Sequence, residues 1–202
     1  MPRAIVFDLF GVIALAQEPE DLRRIEAVAG MTADADAERL WEAYWALREP
    51  YDAGQPTADY WAAVADRLGM RFEDETVSAL VQADMESWSH ADPAMVELIG
   101  ELAAVGHTLG LLSNIVGDLV PIFEARHGEW LAHFKSLTYS CEIGVAKPDH
   151  RAYEIVADRL GVAPCDCLFL DDREANVLAA REVGMRAEVF RTPDQVRELL
   201  AI

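Results

Sequence analysis

The sequence predicts an α/β fold: an open parallel sheet with helices on both faces, interrupted by a helical segment after the first strand. Three observations predict it. Beyond Asp92-Pro93, apolar runs of strand length alternate with helical periodicity, the pattern of βαβ units. Between residues 14 and 88, helical periodicity runs on without a clear strand. Two apolar runs, Ala4-Ile5-Val6-Phe7 and Cys167-Leu168-Phe169-Leu170, end in aspartate, at Asp8 and at the pair Asp171-Asp172. In such a sheet the C-terminal ends of the strands converge on one crevice where ligands bind.

Each element follows in order. Residues 4–8 form a short buried strand, broken by Gly11. In the inserted segment Leu22, Ile25, Val28 and Ala29 recur at helical spacing. The same spacing returns in Leu40, Trp41, Tyr44, Trp45 and Leu47, and again in Tyr60, Trp61, Val64 and Leu68. Residues 50–56 carry turn formers, and Thr57 or Asp59 is placed to cap the next helix. Then come a helix over 94–104 ended by Gly106, a strand over 108–112, and a helix over 119–126. A strand over 136–140 and a helix over 150–160 ended by Gly161 precede the strand before Asp171. A helix over 176–183, a strand over 186–190 and a helix over 193–200 complete the chain. The division is a core of residues 1–13 and 89–202 with a helical cap of residues 14–88.

The 202 residues are 52% hydrophobic and 26% charged, an ordinary globular balance. A net charge of −19 repels nucleic acid and anionic membrane surfaces, and it requires a local positive island if the substrate is phosphorylated. No apolar stretch reaches the ~18–20 residues that span a bilayer, and the N-terminus lacks the apolar core of a signal peptide. A soluble, cytoplasmic protein is expected, monomer or homodimer. The three cysteines, Cys141, Cys165 and Cys167, read as buried or half-buried thiols rather than a disulfide or zinc framework. The five histidines show no metal-ligand spacing. The aromatic stripe of the insertion, Trp41 to Trp61, is more often the core of a helical bundle than a pocket wall.

Four polar clusters follow predicted strands: Asp8, Ser113-Asn114, Lys147-Pro148, and Asp171-Asp172 with Asn176. Adjacent carboxylates after a buried strand repel each other and resist desolvation, so they call for a cation, and Mg²⁺ suits an all-oxygen set. Asp8 is a candidate carboxylate nucleophile toward phosphorus. Ser113 and Asn114 are candidate donors to the phosphoryl oxygens, and Lys147 is the positive island.

Together the four motifs resemble the haloacid dehalogenase-like hydrolase superfamily over nearly the whole chain. They stand as Phe7-Asp8-Leu9-Phe10-Gly11-Val12, Leu112-Ser113-Asn114, Gly144-Val145-Ala146-Lys147-Pro148-Asp149, and Phe169-Leu170-Asp171-Asp172-Arg173-Glu174-Ala175-Asn176. Residues 142–185 are similar to sugar-1-phosphate phosphatases and the phosphatase domain of soluble epoxide hydrolases. The resemblance implies a Rossmann-like core, a helical cap, a Mg²⁺ cofactor and a small phosphorylated metabolite as substrate. It implies that Asp8, the main-chain carbonyl of Phe10, Asp171 and Asp172 serve the metal, with Asn176 supporting them.

The family's general acid/base aspartate, two residues after the nucleophile, is here Phe10. Losing such a group typically costs 10²–10⁴-fold. Three readings stay open: a phosphatase for good leaving groups or with another proton donor, a 2-haloacid dehalogenase, and a non-catalytic ligand- or protein-binding relative. The Asp171-Asp172 pair argues against the dehalogenase, which needs no metal.

Overall fold

The computed structural model describes residues 2–201. β1 (Ala4–Phe7) is buried along its whole length, as a strand covered on both faces must be. Five helices then intervene before the sheet resumes: α1 (Pro19–Ala29), α2 (Asp34–Ala46), α3 (Arg48–Asp52), α4 (Thr57–Leu68) and α5 (Asp74–Ser87). α6 (Pro93–Ala104) leads to β2 (Thr108–Ser113), and α7 (Leu119–Leu131) to β3 (Phe134–Tyr139) and the short α8 (Ser140–Ile143). α9 (His150–Leu160), β4 (Cys167–Asp171), α10 (Glu174–Glu182), β5 (Arg186–Val189) and α11 (Pro193–Leu200) follow.

The strands pair in parallel in the order β3-β2-β1-β4-β5. β2 and β3 extend the sheet on one side of β1, β4 and β5 on the other, so the chain reverses its direction of growth at the β1–β4 boundary. That boundary is the switch point at which open α/β sheets bind ligands. Phe7 pairs with both Leu111 and Leu170, which sets Asp8 level with the ends of β2 and β4.

Alternation along the strands separates two cores. Ile5, Phe7, Leu109 and Leu168 pack with α6, α7 and α11 on one face. Val6 and Phe169 pack with α9 and α10 on the other. Gly110 lies on this second face, where a Cβ would come within 2.7 Å of Leu160 Cδ1, so its missing side chain lets α9 sit close to β2.

The chain leaves and re-enters the sheet region through two paired segments. Leu15 N donates to His90 O (2.9 Å), Asp92 N donates to Ile13 O (2.8 Å), and Ala14 bridges Ala91 antiparallel. Within the insertion α1 packs on α5 and α2 on α4. Tyr44 lies at the centre, edge-on to Trp41, Trp45 and Tyr60 at 5.2, 5.0 and 5.9 Å. Tyr44, Tyr51, Tyr60 and Trp61 are buried, so most of the aromatic stripe is bundle core. Trp41 is half-buried and Trp45 is 53% exposed.

Two local expectations change. Neither Thr57 nor Asp59 caps α4, whose N-cap is Pro56. The Thr57 hydroxyl instead donates to Asp118 and accepts from Tyr51 Oη, tying the insertion to the start of α7. All three cysteines are free, and Cys165 is exposed rather than buried or half-buried. Among the described residues no helix is long and apolar enough to cross a membrane.

Candidate active site

Asp8 leaves β1 at the switch point and is 5% exposed. Its main-chain N–H donates to Leu170 O (2.9 Å), and its Oδ1 accepts from Leu9 N (2.7 Å), which fixes the carboxylate above the sheet. Lys147 Nζ lies 2.6 Å from Asp8 Oδ1 and 2.7 Å from Asp171 Oδ2, bridging the ends of β1 and β4. Lys147 itself is buried, and its position is set from behind by Asn114. Asn114 Nδ2 donates to Lys147 O and Lys147 N donates to Asn114 Oδ1, both at 2.8 Å.

Asp171 and Asp172 divide the work of the acidic pair. Asp171 is fully buried and its oxygens accept from Lys147 Nζ, Arg173 N and Asn176 Nδ2. Asn176 is in turn held by Tyr153, whose hydroxyl donates to Asn176 O (3.0 Å). Asp172 is exposed and lines the cavity. One oxygen from each of Asp8, Asp171 and Asp172 lies within 4.8 Å of the others. Three carboxylates thus face one ammonium. Burial pushes Asp8 up to about 8, against the pull of Lys147, and Asp171 adds to the rise. Burial also raises Asp172, with repulsion from Asp171. Burial works against the charge on Lys147, but Asp8 and Asp171 outweigh it and hold its pKa above the usual range. An all-oxygen set with a surplus of two negative charges fits a hard divalent cation.

Gly11 makes the approach possible. It adopts φ 80°, and a Cβ there would come within 2.6 Å of Asp172 Oδ2. Ser113 Oγ, at the end of β2, is buried without a hydrogen-bond partner among the described residues, an orphan donor beside the strand ends. Of the expected phosphoryl donors, then, the Ser113 hydroxyl is free, whereas the Asn114 amide is engaged with the Lys147 backbone.

The cavity above this floor has a volume of about 340 Å³. Its floor includes Asp8, Lys147 and Asp172; its walls are Phe10, Trp45 and Trp88. The Phe10 ring is edge-on to Trp88 at 5.1 Å and to Phe123 at 6.5 Å, so position 10 belongs to an aromatic cluster. The insertion also contributes Arg48 and Asp52, and the loop after β4 contributes Arg173. Three cationic side chains, Lys147, Arg48 and Arg173, thus line the cavity, with Lys147 and Arg48 each shared between two carboxylates. Sequence reasoning missed Arg48, Asp52 and Arg173. The only trace was the i,i+4 spacing of Arg48 and Asp52, which is ordinary on a solvated helix.

The chain belongs to the haloacid dehalogenase-like hydrolases, whose family description matches residues 2–184. Among particular relatives, it is 31% identical over 204 residues to a phosphatase of Mycobacterium tuberculosis (Phosphatase MT3486), covering 96% of this chain and 90% of that one. It is 43% identical over 135 residues to flavin mononucleotide hydrolase 1 of Arabidopsis thaliana, covering 63% of this chain and 51% of that protein. A family enzyme of Bacteroides thetaiotaomicron, solved with magnesium and inorganic phosphate, superposes with a TM-score of 0.70 at 18% identity, covering 95% of each chain.

Proposed function

We propose that this hydrolase is a Mg²⁺-dependent phosphatase of a small phosphorylated metabolite, working through an aspartyl-phosphate on Asp8. The observation that carries the reading is the trio Asp8, Asp171 and Asp172 around a single Lys147 ammonium. A haloacid dehalogenase has no use for so costly a concentration of carboxylates.

Asp8 and Asp172, with the main-chain carbonyl of Phe10, would hold the metal, and Asp171 would orient the group from behind. The bound cation would neutralise charge on the phosphoryl oxygens, the effect on which phosphoryl transfer chiefly depends. Asp8 attacks phosphorus with its carboxylate oxygen, forming the acyl phosphate as the ester bond breaks. Lys147 draws Asp8 toward its charged form against the effect of burial and aims it, and the Ser113 hydroxyl donates to a phosphoryl oxygen. The insertion acts as a cap, with Phe10, Trp45 and Trp88 facing the leaving group and excluding water. Those aromatic walls suit a leaving group with an apolar or planar face. The hydrolysis of flavin mononucleotide for which the Arabidopsis relative is named supports including such an ester.

The test is a panel of phosphate esters, flavin mononucleotide and sugar phosphates among them, run with Mg²⁺ and with EDTA. Turnover is expected only with metal, and Asp8→Asn should lower it by about 10³-fold or more with the fold intact. Turnover retained by Asp8→Asn would overturn the nucleophile. Chloride release from 2-chloropropionate without metal would favour the dehalogenase, and silence across the panel a binding role.

A further inference from the structure

We infer that Asp52, on the insertion, is the acid/base residue that delivers the proton position 10 cannot. The inference rests on the phosphatase reading and deepens it. Three carboxyl groups line the cavity: Asp8, Asp52 and Asp172. Asp8 is committed to phosphorus and Asp172 to the cation. Arg48, Arg173 and Lys147 also line it, but guanidinium groups do not release protons at working pH, and the Lys147 ammonium is shared between two carboxylates. Asp52 alone remains.

Its position is fixed from several sides. Asp52 Oδ1 accepts from Arg48 Nε at 2.8 Å, one turn back on α3. Its main-chain carbonyl accepts from the Ser140 hydroxyl, whose oxygen also accepts from Ile115 N (2.9 Å), the second residue after β2. The turn after α3 is pressed onto the same place: a Cβ on Gly54 would lie 3.1 Å from Cys141 O. The end of α3 is thereby pinned beside the strand end that carries Ser113 and Asn114, and Asp52 lines the same cavity as Asp8.

Burial, acting against the cations around it, favours a transferable proton on Asp52. Arg48 is shared with a second buried carboxylate, Asp84, 3.9 Å from its Nη1, so two carboxyl groups divide one guanidinium. Tyr44, Tyr60 and Cys141 adjoin the cluster, and Arg173 and Lys147 face Asp52 from the core. Burial raises Asp52 above the ordinary carboxyl range, against the pull of Arg48 first and then Arg173 and Lys147.

The chemistry balances over two steps. In the first, Asp8 forms a bond to phosphorus while the ester P–O bond breaks, and the Asp52 proton passes to the departing oxygen, releasing a neutral alcohol. In the second, the Asp52 carboxylate takes a proton from water as the water oxygen attacks phosphorus. Inorganic phosphate leaves, Asp8 is freed and Asp52 is protonated again.

The experiment compares kcat/KM, which reads the first step, for an alkyl phosphate and for p-nitrophenyl phosphate, whose leaving group departs without a proton. Asp52→Asn keeps an acceptor for Arg48, and it should depress the alkyl ester by about 10²-fold more than the aryl ester. Phe10→Asp added to Asp52→Asn should recover much of that difference. Equal losses for the two esters would show that Asp52 only anchors Arg48, and would overturn the inference while leaving the phosphatase reading intact. A wild type that turns over neither ester would overturn both. The wild type gives a reading that needs no variant. The donor must be protonated, so alkyl-ester kcat/KM should fall as pH rises through the Asp52 pKa, with no matching fall for the aryl ester. Identical pH profiles would overturn the inference as well.

Discussion

Gly11 shows how much of the site depends on one missing methyl group. Its φ of 80° is the left-handed region that glycine occupies freely, and the space a Cβ would take already holds the Asp172 carboxylate. Gly11→Ala should therefore push Asp172 away and raise the Mg²⁺ concentration for half-maximal activity by about 10-fold or more, read from a metal titration. The residue types of the site were legible: Asp8, Asp171 and Asp172 stand at the ends of apolar runs, and Lys147 and Asn176 in segments that follow strands. Their division of labour was not. Nothing in Leu170-Asp171-Asp172 says that the first carboxylate is saturated by Lys147, Asn176 and the Arg173 amide while the second faces the cavity. Nor does the sequence say that the Asn114 amide clamps the Lys147 backbone while Asn114 also lines the cavity.

At the scale of elements, helix ends with local chemistry were readable. Asp92 accepts from Ala94 N at 2.9 Å ahead of Pro93, an N-cap side chain followed by proline at the first helical position. Asp92→Ala should cost about 1 kcal/mol, seen as a lower urea midpoint with an unchanged slope. Where partners are distant, the reading slipped. Thr57 has the right side chain to cap α4 but spends it on Asp118, 61 residues away. α7 runs to Leu131 rather than 126, because Trp130 packs on Phe123 and Phe134 at 6.0 and 6.1 Å, carrying the helix across Gly128. β3 begins at Phe134 for the same reason: that ring closes the cluster beneath α7.

At the scale of the molecule, a surplus of carboxylates at one point couples metal binding to stability. A ligand bound only by the folded state stabilises by about 2.7 kcal/mol at 100 times its Kd. Saturating Mg²⁺ should accordingly raise the Tm by roughly 5–10 °C for a chain of this size. Sodium chloride at matched ionic strength is the control, since screening a net charge of −19 relieves self-repulsion by itself. The rise beyond that control should vanish in Asp172→Ala.

The sequence by itself determined the class of fold, the alternation of strands and helices after residue 92, the inserted helices, and the chemical types gathered at the strand ends. These rest on short-range physics: the periods of strand and helix, and the cost of carboxylates beside apolar runs. Tertiary structure alone decided which strands adjoin, with β4 crossing to the far side of β1 to put Asp171 beside Asp8. It also decided that Arg48 and Asp52 overlook the site. Their burial depends on where the insertion lies against the sheet, through Ser140 and Cys141 some ninety positions further along. No local period carries that distance, because it is set by packing between segments that meet only once the chain has folded.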